Sequence, residues 1–194
     1  MLARIYSAAV YGVDAYEVEI EVNAAGGLPA IVIVGLPDTA VKESRDRVTT
    51  AVSNSGYFWP RGRTTINLAP ADIKKEGPSF DLPIALGMIA AQQELEGDVF
   101  APFVFVGELA LNGAVRPVKG VLPVALEARR RGKRALVVPQ ANAREAAMVE
   151  GIDADAGRSK RILRHPSRLR SRFCGCERPG ARQARGRGGG RWRA

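Results

Sequence analysis

Apolar residues recur at strand and helix spacings from the start of the chain to about residue 155, where the pattern stops. The last segment, 158–194, holds 13 of the 29 Lys and Arg and a single acid, Glu177. The rest is mildly acidic, with 16 basic residues and 19 acids. A segment so rich in Arg and Gly buries too little surface to offset the entropy of ordering. The sequence therefore predicts one folded domain over 1–153 and a disordered Arg/Gly-rich tail over 154–194.

The tail begins abruptly, has an excess of arginine and shows no apolar period. These traits favour a shifted reading frame in a GC-rich gene over a selected sequence. The alternative is a functional tail, because arginine-rich segments bind DNA or RNA by releasing counterions.

Histidine and cysteine are missing from the predicted domain, since His165, Cys174 and Cys176 all lie in the tail. This distribution excludes a Ser-His-Asp triad, a Cys-His pair and a conventional zinc site from the domain. It also excludes a disulfide framework there, which fits a reducing cytosol. No apolar run approaches the ~18 residues of a membrane span, and the first residues lack a signal-peptide pattern. We expect a cytoplasmic protein without a membrane partner or a metal.

Strand and helix patterns alternate along the domain. Val18, Ile20 and Val22 alternate with glutamates, as in a strand with one buried face. The continuous β-branched run Ala30–Val34 predicts a buried strand, because strands covered on both faces are apolar throughout. The other predicted elements are strands at 3–10, 63–68, 103–106 and 135–138, a helix from the cap Asp38 or Thr39 to Gly56, helices at 81–93 and 121–131, a hairpin at Asn112-Gly113 and a short helix from Asn142. This mixture favours an α+β fold, a two-layer α/β sandwich.

Two stretches carry the strongest chemical signal: residues 72–86 read DIKKEGPSFDLPIAL and residues 106–117 read VGELALNGAVRP. Their order and spacing resemble the proteolytic domain of Lon-type serine–lysine peptidases. In that family the serine after the Gly-Pro pair attacks, and a lysine beyond the second stretch activates it. The resemblance puts Ser79 at the nucleophile position and Leu122 at the position of the base. Because a hydroxyl without an adjacent base is a poor nucleophile, we expect no catalytic residue here.

Two interpretations of Ser79 stay open. It lies at or just before a helix N-cap, or it serves a Lon-like serine peptidase with a substitute base such as Lys119, Lys74 or Lys75. The rigid Gly-Pro link before Ser79 makes it hard for Lys74 or Lys75 to fold back onto its hydroxyl, so the structural interpretation is favoured.

Basic residues cluster near the end of the predicted helix 121–131 and beside the aromatic residues 57–59. Arginines next to aromatic residues suit stacking on single-stranded nucleic acid. Cations at a helix C-terminus also favour the helix macrodipole and form an ordinary solvated face. DNA is thus one candidate partner, and the candidate contacts are Arg61, Arg63, Arg129, Arg130, Arg131, Lys133 and Arg134.

Further motifs run in order through residues 1 to about 153. They read VGLPD at 34–38, VKESRDRV at 41–48, NSGY at 54–57, INLAPAD at 66–72, KEG at 75–77, DLPIA at 81–85 and VGELALNG at 106–113. Together they resemble the N-terminal domain of the ComM/YifB-type, magnesium-chelatase-like AAA+ ATPases. The resemblance implies a Lon-protease-like fold of the ribosomal-protein-S-five domain-2 type, without peptidase activity.

In that family the domain precedes an AAA+ motor that assembles into a hexameric ring. ComM-type members act as helicases that promote branch migration when incoming DNA recombines during natural transformation. This sequence contains no Walker A segment of the form G-x-x-x-x-G-K-[ST], so no ATP-site residue is carried over. We expect a chain truncated before the AAA+ module, a non-catalytic accessory domain with that module as its partner. ATP and magnesium are expected only for the module, and no cofactor for this chain.

Overall fold

The computed structural model describes residues 2–57, 62–93 and 100–157. The nucleic-acid candidate Arg61 and the segment 158–194 lie outside these residues, so the predictions made for them stay predictions. In chain order the elements are β1 (Leu2–Tyr11), β2 (Asp14–Ala25), β3 (Ala30–Val34), α1 (Thr39–Asn54), β4 (Arg63–Ala69), a 3-10 turn (Pro78–Phe80), α2 (Asp81–Gln92), β5 (Phe103–Phe105), β6 (Glu108–Leu109), β7 (Val115–Arg116), α3 (Val121–Arg130), β8 (Ala135–Pro139), a second 3-10 turn (Gln140–Asn142), α4 (Ala143–Ala146) and β9 (Asp153–Gly157).

The larger sheet has the strand order β1-β2-β4-β3, with β3 parallel to β4 and the other pairs antiparallel. Its register sets Ile20 of β2 opposite both Ile5 of β1 and Leu68 of β4. Because side chains alternate between the faces of a strand, this register collects the buried apolar residues on one face. The helices α1 and α2 cover that face and complete the main apolar core.

A smaller parallel sheet has the order β5-β8-β9, and β6 and β7 form a separate hairpin. One face of the smaller sheet joins the main core through Phe103, Phe105 and Val137. The other face, with Val104 and Leu136, contributes to a second apolar cluster formed with α3 and α4. The helices and sheets thus share one mixed architecture, and the predicted α+β class is confirmed.

Local sequence signals fix the ends of α1 and the hairpin. Asp38 is the N-cap of α1, and its Oδ1 accepts a hydrogen bond from the N–H of Val41 at 2.7 Å. Gly56 follows the helix with a φ of 91°, a conformation that glycine adopts at little cost. The predicted Asn-Gly turn joins β6 to β7, where the N–H of Ala110 donates to the carbonyl of Ala114 at 2.8 Å.

The central helix α2 is buried on almost every side, since all its residues except Gln92 are buried. Gly87 lets the helix approach the sheet closely: a Cβ at this position would lie 2.6 Å from Cγ2 of Val22. A larger residue there would force α2 away from β2, so the glycine sets the spacing of the two layers.

The position of β3 corrects one prediction. Ala30–Val34 forms a strand, but the strand lies at the edge of its sheet and its two end residues are exposed. The prediction of a buried strand was wrong, because an apolar run does not distinguish a central strand from an edge strand.

The strand β9 is a second difference. It pairs with β8 in parallel register from Asp153 to Gly157. The fold therefore continues past the predicted domain boundary at 153, where the short sequence DADAG carries no strand-like apolar pattern.

Candidate functional site

The loop before Ser79 is fastened to the turn that connects β3 and α1. The N–H of Lys75 donates to the carbonyl of Leu36 at 3.3 Å, and the N–H of Asp38 donates to the carbonyl of Lys75 at 3.1 Å. The second carboxylate oxygen of Asp38 accepts a bond from the N–H of Gly77 at 3.1 Å. Asp38 therefore caps α1 and anchors the loop at the same time.

Ser79 itself lies in the 3-10 turn before α2 and is half-buried. Its carbonyl accepts a bond from the N–H of Gly107 at 2.9 Å, and the carbonyl of Gly107 accepts one from the N–H of Leu82 at 3.0 Å. The two sequence stretches that resemble the peptidase are thus adjacent in the fold.

The Ser79 side chain does not cap α2. The N-cap of that helix is Phe80, and no side chain caps it. Within residues 2–57, 62–93 and 100–157, the Ser79 hydroxyl has no hydrogen-bond partner. Ser79 therefore precedes the N-cap, as one form of the prediction had it, but its hydroxyl is not engaged.

Leu122 occupies the first turn of α3, where it is half-buried and packs against the second apolar cluster. Its N–H donates to Oε1 of Glu145 at 3.0 Å, which satisfies a free donor at the start of α3. Gly120 is the N-cap and has no side chain to do so. An isobutyl group accepts no proton, so Leu122 supplies packing and no base.

None of the three lysines considered as substitute bases is bonded to Ser79 in the described part of the chain. Lys75 is fully buried and its ammonium donates to the carbonyl of Pro70. Burial lowers the pKa of Lys75. Lys74 is exposed and pairs with Glu76 at 2.8 Å, and the hydrogen bond to Glu76 raises the pKa of Lys74. Lys119 is exposed to solvent.

Two residues after Ser79, a buried carboxylate joins three elements. Asp81 is inaccessible to solvent and accepts a bond from the Ser44 hydroxyl. Nε of Arg47 binds the same carboxylate at 2.9 Å, and the N–H of Leu109 donates to it at 3.2 Å. Burial raises the pKa of Asp81, and the bonds from Arg47, Ser44 and Leu109 oppose that shift.

The Asp81 cluster was not predicted from the sequence. Glu43, four residues before Arg47 on α1, forms a second and looser ion pair with Arg47 at 4.0 Å and is mostly exposed. The hydrogen bond to Asp81 raises the pKa of Arg47, so the guanidinium stays charged beside the carboxylate. Ser44 and Arg47 are three residues apart and therefore lie on the same face of α1. Two polar residues on a face that is otherwise buried were a sequence signal for a buried polar partner.

The basic residues at the end of α3 are largely paired. Arg130 and Arg131 both contact Glu127, at 2.7 and 2.8 Å. Lys133 pairs with Glu17 at 2.8 Å and lies 3.6 Å from the centre of the Tyr6 ring. Most of this cluster therefore stabilises the fold, since its charges are matched by neighbouring groups.

The remaining candidates are exposed but do not form one surface. Arg129 reaches the backbone carbonyl of Glu150 at 3.4 Å, and the side chain of Arg134 is exposed. Arg63 pairs in register with Ala25, eight residues along β2 from the Glu17 that binds Lys133. At ~3.3 Å per residue this separation is roughly 26 Å. The structure does not bring Arg63 together with the α3 cluster.

Other kinds of site find no support in the described ranges. No group of three or more His, Cys, Asp or Glu there is placed to hold a metal ion. No helix within them is long and apolar enough to cross a membrane.

The structure brings the Ser79 turn and Gly107 together, and Leu122 lies in α3 against the second apolar cluster. Residues 20–142 match the family described as subunit ChlI of Mg-chelatase. The chain belongs to this Mg-chelatase-like family. The resemblance to ComM/YifB-type proteins, first drawn from the motifs, is confirmed by two relatives.

Two relatives of this ComM/YifB type are close in sequence. The competence protein ComM of Haemophilus influenzae is 48% identical over 148 residues, which cover 76% of this chain and 29% of that protein. The YifB protein of Escherichia coli is 44% identical over 150 residues, covering 77% of this chain and 29% of that protein. The chain spans about three tenths of the length of these curated relatives.

A more distant relative confirms the Lon-like character of the fold. Lon protease 2 of Bacillus subtilis is 28% identical over 162 residues, which cover 75% of this chain and 28% of that protein. The chain thus shares a Lon-like fold with a protease.

Proposed function

We propose that this Mg-chelatase-like chain is a non-catalytic accessory module that serves an AAA+ ATPase module. The observation that carries the proposal is the pair of Ser79 and Leu122. The nucleophile position keeps a hydroxyl, while the position of the base holds an apolar side chain whose neighbours are the second apolar cluster. Without a base, the hydroxyl stays protonated and unreactive at neutral pH.

The buried groups near Ser79 support the same proposal. The ammonium of Lys75 is used by the Pro70 carbonyl, and the carboxylate of Asp81 is used by Arg47 and Ser44. These contacts hold loops and helices together, and neither group is bonded to Ser79 in the described part of the chain. A domain whose buried charged groups make internal contacts is suited to positioning another module.

The setting of the module follows from its relatives. One of them is named a competence protein, and ComM/YifB-type proteins are AAA+ ATPases. We infer that the partner is an AAA+ module, arranged in a hexameric ring, that binds ATP and magnesium and drives DNA branch migration during recombination in the cytoplasm. The chain itself would then hold no cofactor and would position the ring or its DNA.

ATP turnover by the purified 194-residue chain tests the proposal. We expect no release of phosphate above a protein-free blank in the presence of magnesium, because the sequence has no Walker A loop for the β- and γ-phosphates. An established ATPase, assayed under the same conditions, is the positive control. Turnover that co-purifies with the chain through two unrelated columns would contradict an accessory role.

A further inference from the structure

The strand β3 has an unpaired edge. It pairs in parallel with β4 on one side, and no strand in the described part of the chain pairs with its other side. A strand at the edge of a sheet presents a row of N–H and C=O groups that are ready to bind another strand. The free edge of β3 is therefore a site where a further strand can be added.

The paired segment of this edge carries no charge that would oppose such pairing. Natural edge strands are protected by charged residues, above all lysine, by proline or by bulges, and Pro29 and Pro37 both lie outside Ala30–Val34. From Leu28 to Pro37 the chain contains no charged residue. Leu28, Val34 and Leu36 are exposed by 88%, 41% and 55%. An exposed apolar stretch at a sheet edge indicates an interface more than an ordinary solvated surface.

The end of the stretch is held in a fixed, uncommon conformation. Leu36 has a φ of 54°, which is rare for a residue other than glycine. Its carbonyl is bonded to Lys75 at 3.3 Å, so the turn cannot relax without breaking that contact. Leu36 therefore stays exposed at the end of the β3 edge.

A groove beside the edge adds to the available surface. It has a volume of about 300 Å³ and lies between the start of β3 and the outer side of α1. Arg45 and Asp46 on its rim form an ion pair at 3.0 Å, which leaves the rim without net charge. The groove leaves room beside the start of β3, between its apolar residues and the polar residues of α1.

The sequence of β3 is complementary to itself. Ala30–Val34 reads AIVIV, so antiparallel pairing of two copies about Val32 sets Ile31 of one copy opposite Ile33 of the other. Leu28 and Leu36 lie just beyond the two ends of the strand, where a second copy would shield part of their exposed surface. A twofold interface uses the same patch on both partners, and twofold dimers are the commonest closed assemblies.

We propose that β3 pairs with the β3 strand of a second copy of this chain, antiparallel about Val32, and joins the two larger sheets into one. The partner strand is β3 of a second copy, because the edge is complementary to itself in sequence. The strand also has no charged residue that would repel the same residue of the other copy. This inference does not depend on the proposed accessory role, and either can fail without the other.

Sedimentation velocity of the full 194-residue chain tests the pairing. We expect a shift from monomer to dimer between about 1 µM and about 500 µM, because mass action makes a dimer depend on concentration. Val32→Lys and Val32→Glu each place two like charges about 5 Å apart at the twofold axis. Each should raise the dissociation constant by at least about tenfold. An equimolar mixture of the two variants should dimerise again, because the charges at the axis are then opposite.

A matched pair of leucines controls for effects on folding. Leu36 and Leu111 are both 55% exposed, and Leu111 follows β6, away from the β3 edge. Leu36→Lys should weaken the dimer, whereas Leu111→Lys should leave the dissociation constant within about twofold of the unmodified chain. A chain that stays monomeric at all these concentrations would overturn the inference. A dimer that survives Val32→Lys, or a mixture that fails to recover, would place any interface elsewhere.

Discussion

At the scale of single residues, two buried ionisable groups near Ser79 in sequence, Lys75 and Asp81, are engaged in contacts within the fold. Lys75 is among the largest fully buried side chains, and its ammonium has the Pro70 carbonyl as its acceptor. Desolvation disfavours the charged form of a buried amine. Lys75 therefore costs the fold stability whenever it is protonated, and that cost depends on pH.

We expect the stability of the unmodified chain, relative to a Lys75→Met variant, to rise with pH. Burial lowers the pKa of Lys75 below its ordinary value of 10.5, so the unfolded chain binds the proton more tightly than the folded chain. Stability then increases as the pH rises from the folded pKa toward the unfolded one.

Urea unfolding of both proteins at several pH values between about 7 and about 10 measures this difference. Titration of the other lysines and of the tyrosines is common to both chains and cancels. If the difference in unfolding free energy between the two proteins did not change across this range, the pKa of Lys75 would not be lowered by folding.

At the scale of elements, the Asp81 cluster ties α1, α2 and the β6–β7 hairpin together. Asp81 begins α2, Ser44 and Arg47 come from α1, and the N–H of Leu109 belongs to β6. Three separate elements thus depend on one carboxylate, and their relative positions fix the loop that carries Ser79. The sequence alone did not show this, because the partners are 28 to 37 residues apart.

Asp81→Asn should lower the free energy of unfolding by about 2–3 kcal/mol, because it leaves Arg47 without its main counter-charge. Asp14→Asn, at an exposed position, is the matched control and should change stability by less than about 0.5 kcal/mol. Thermal and urea unfolding of the two variants measure the effect. If Asp81→Asn were as stable as the control, the cluster would not hold the elements together.

The elements also show where sequence reasoning succeeds and where it stops. The cap at Asp38, the stop at Gly56 and the alternating strand at Val18, Ile20 and Val22 were predicted, since each depends on neighbours within a few residues. The edge position of β3 was not predicted, because strand order is decided by contacts far apart in the sequence. The strand β9 was missed because DADAG has no local strand signal.

At the scale of the whole molecule, the chain has a Lon-like α+β fold that brings its two peptidase-like stretches together at Ser79 and Gly107. The motifs predicted the family and the fold, but not this contact. That Leu122 stands at the position of a base stays a prediction from the resemblance. The hydrogen-bond partners of Lys75 and Asp81 could be found only from the three-dimensional structure.

The most direct test of the central claim is labelling of Ser79 by a fluorophosphonate probe, followed by intact mass measurement of the full chain. Ser79→Ala is the control for labelling at other serines. Because no base activates the hydroxyl, we predict that the unmodified chain and Ser79→Ala gain the same, negligible amount of probe. Stoichiometric labelling that disappears in Ser79→Ala would show an activated serine and would contradict the account of a non-catalytic module.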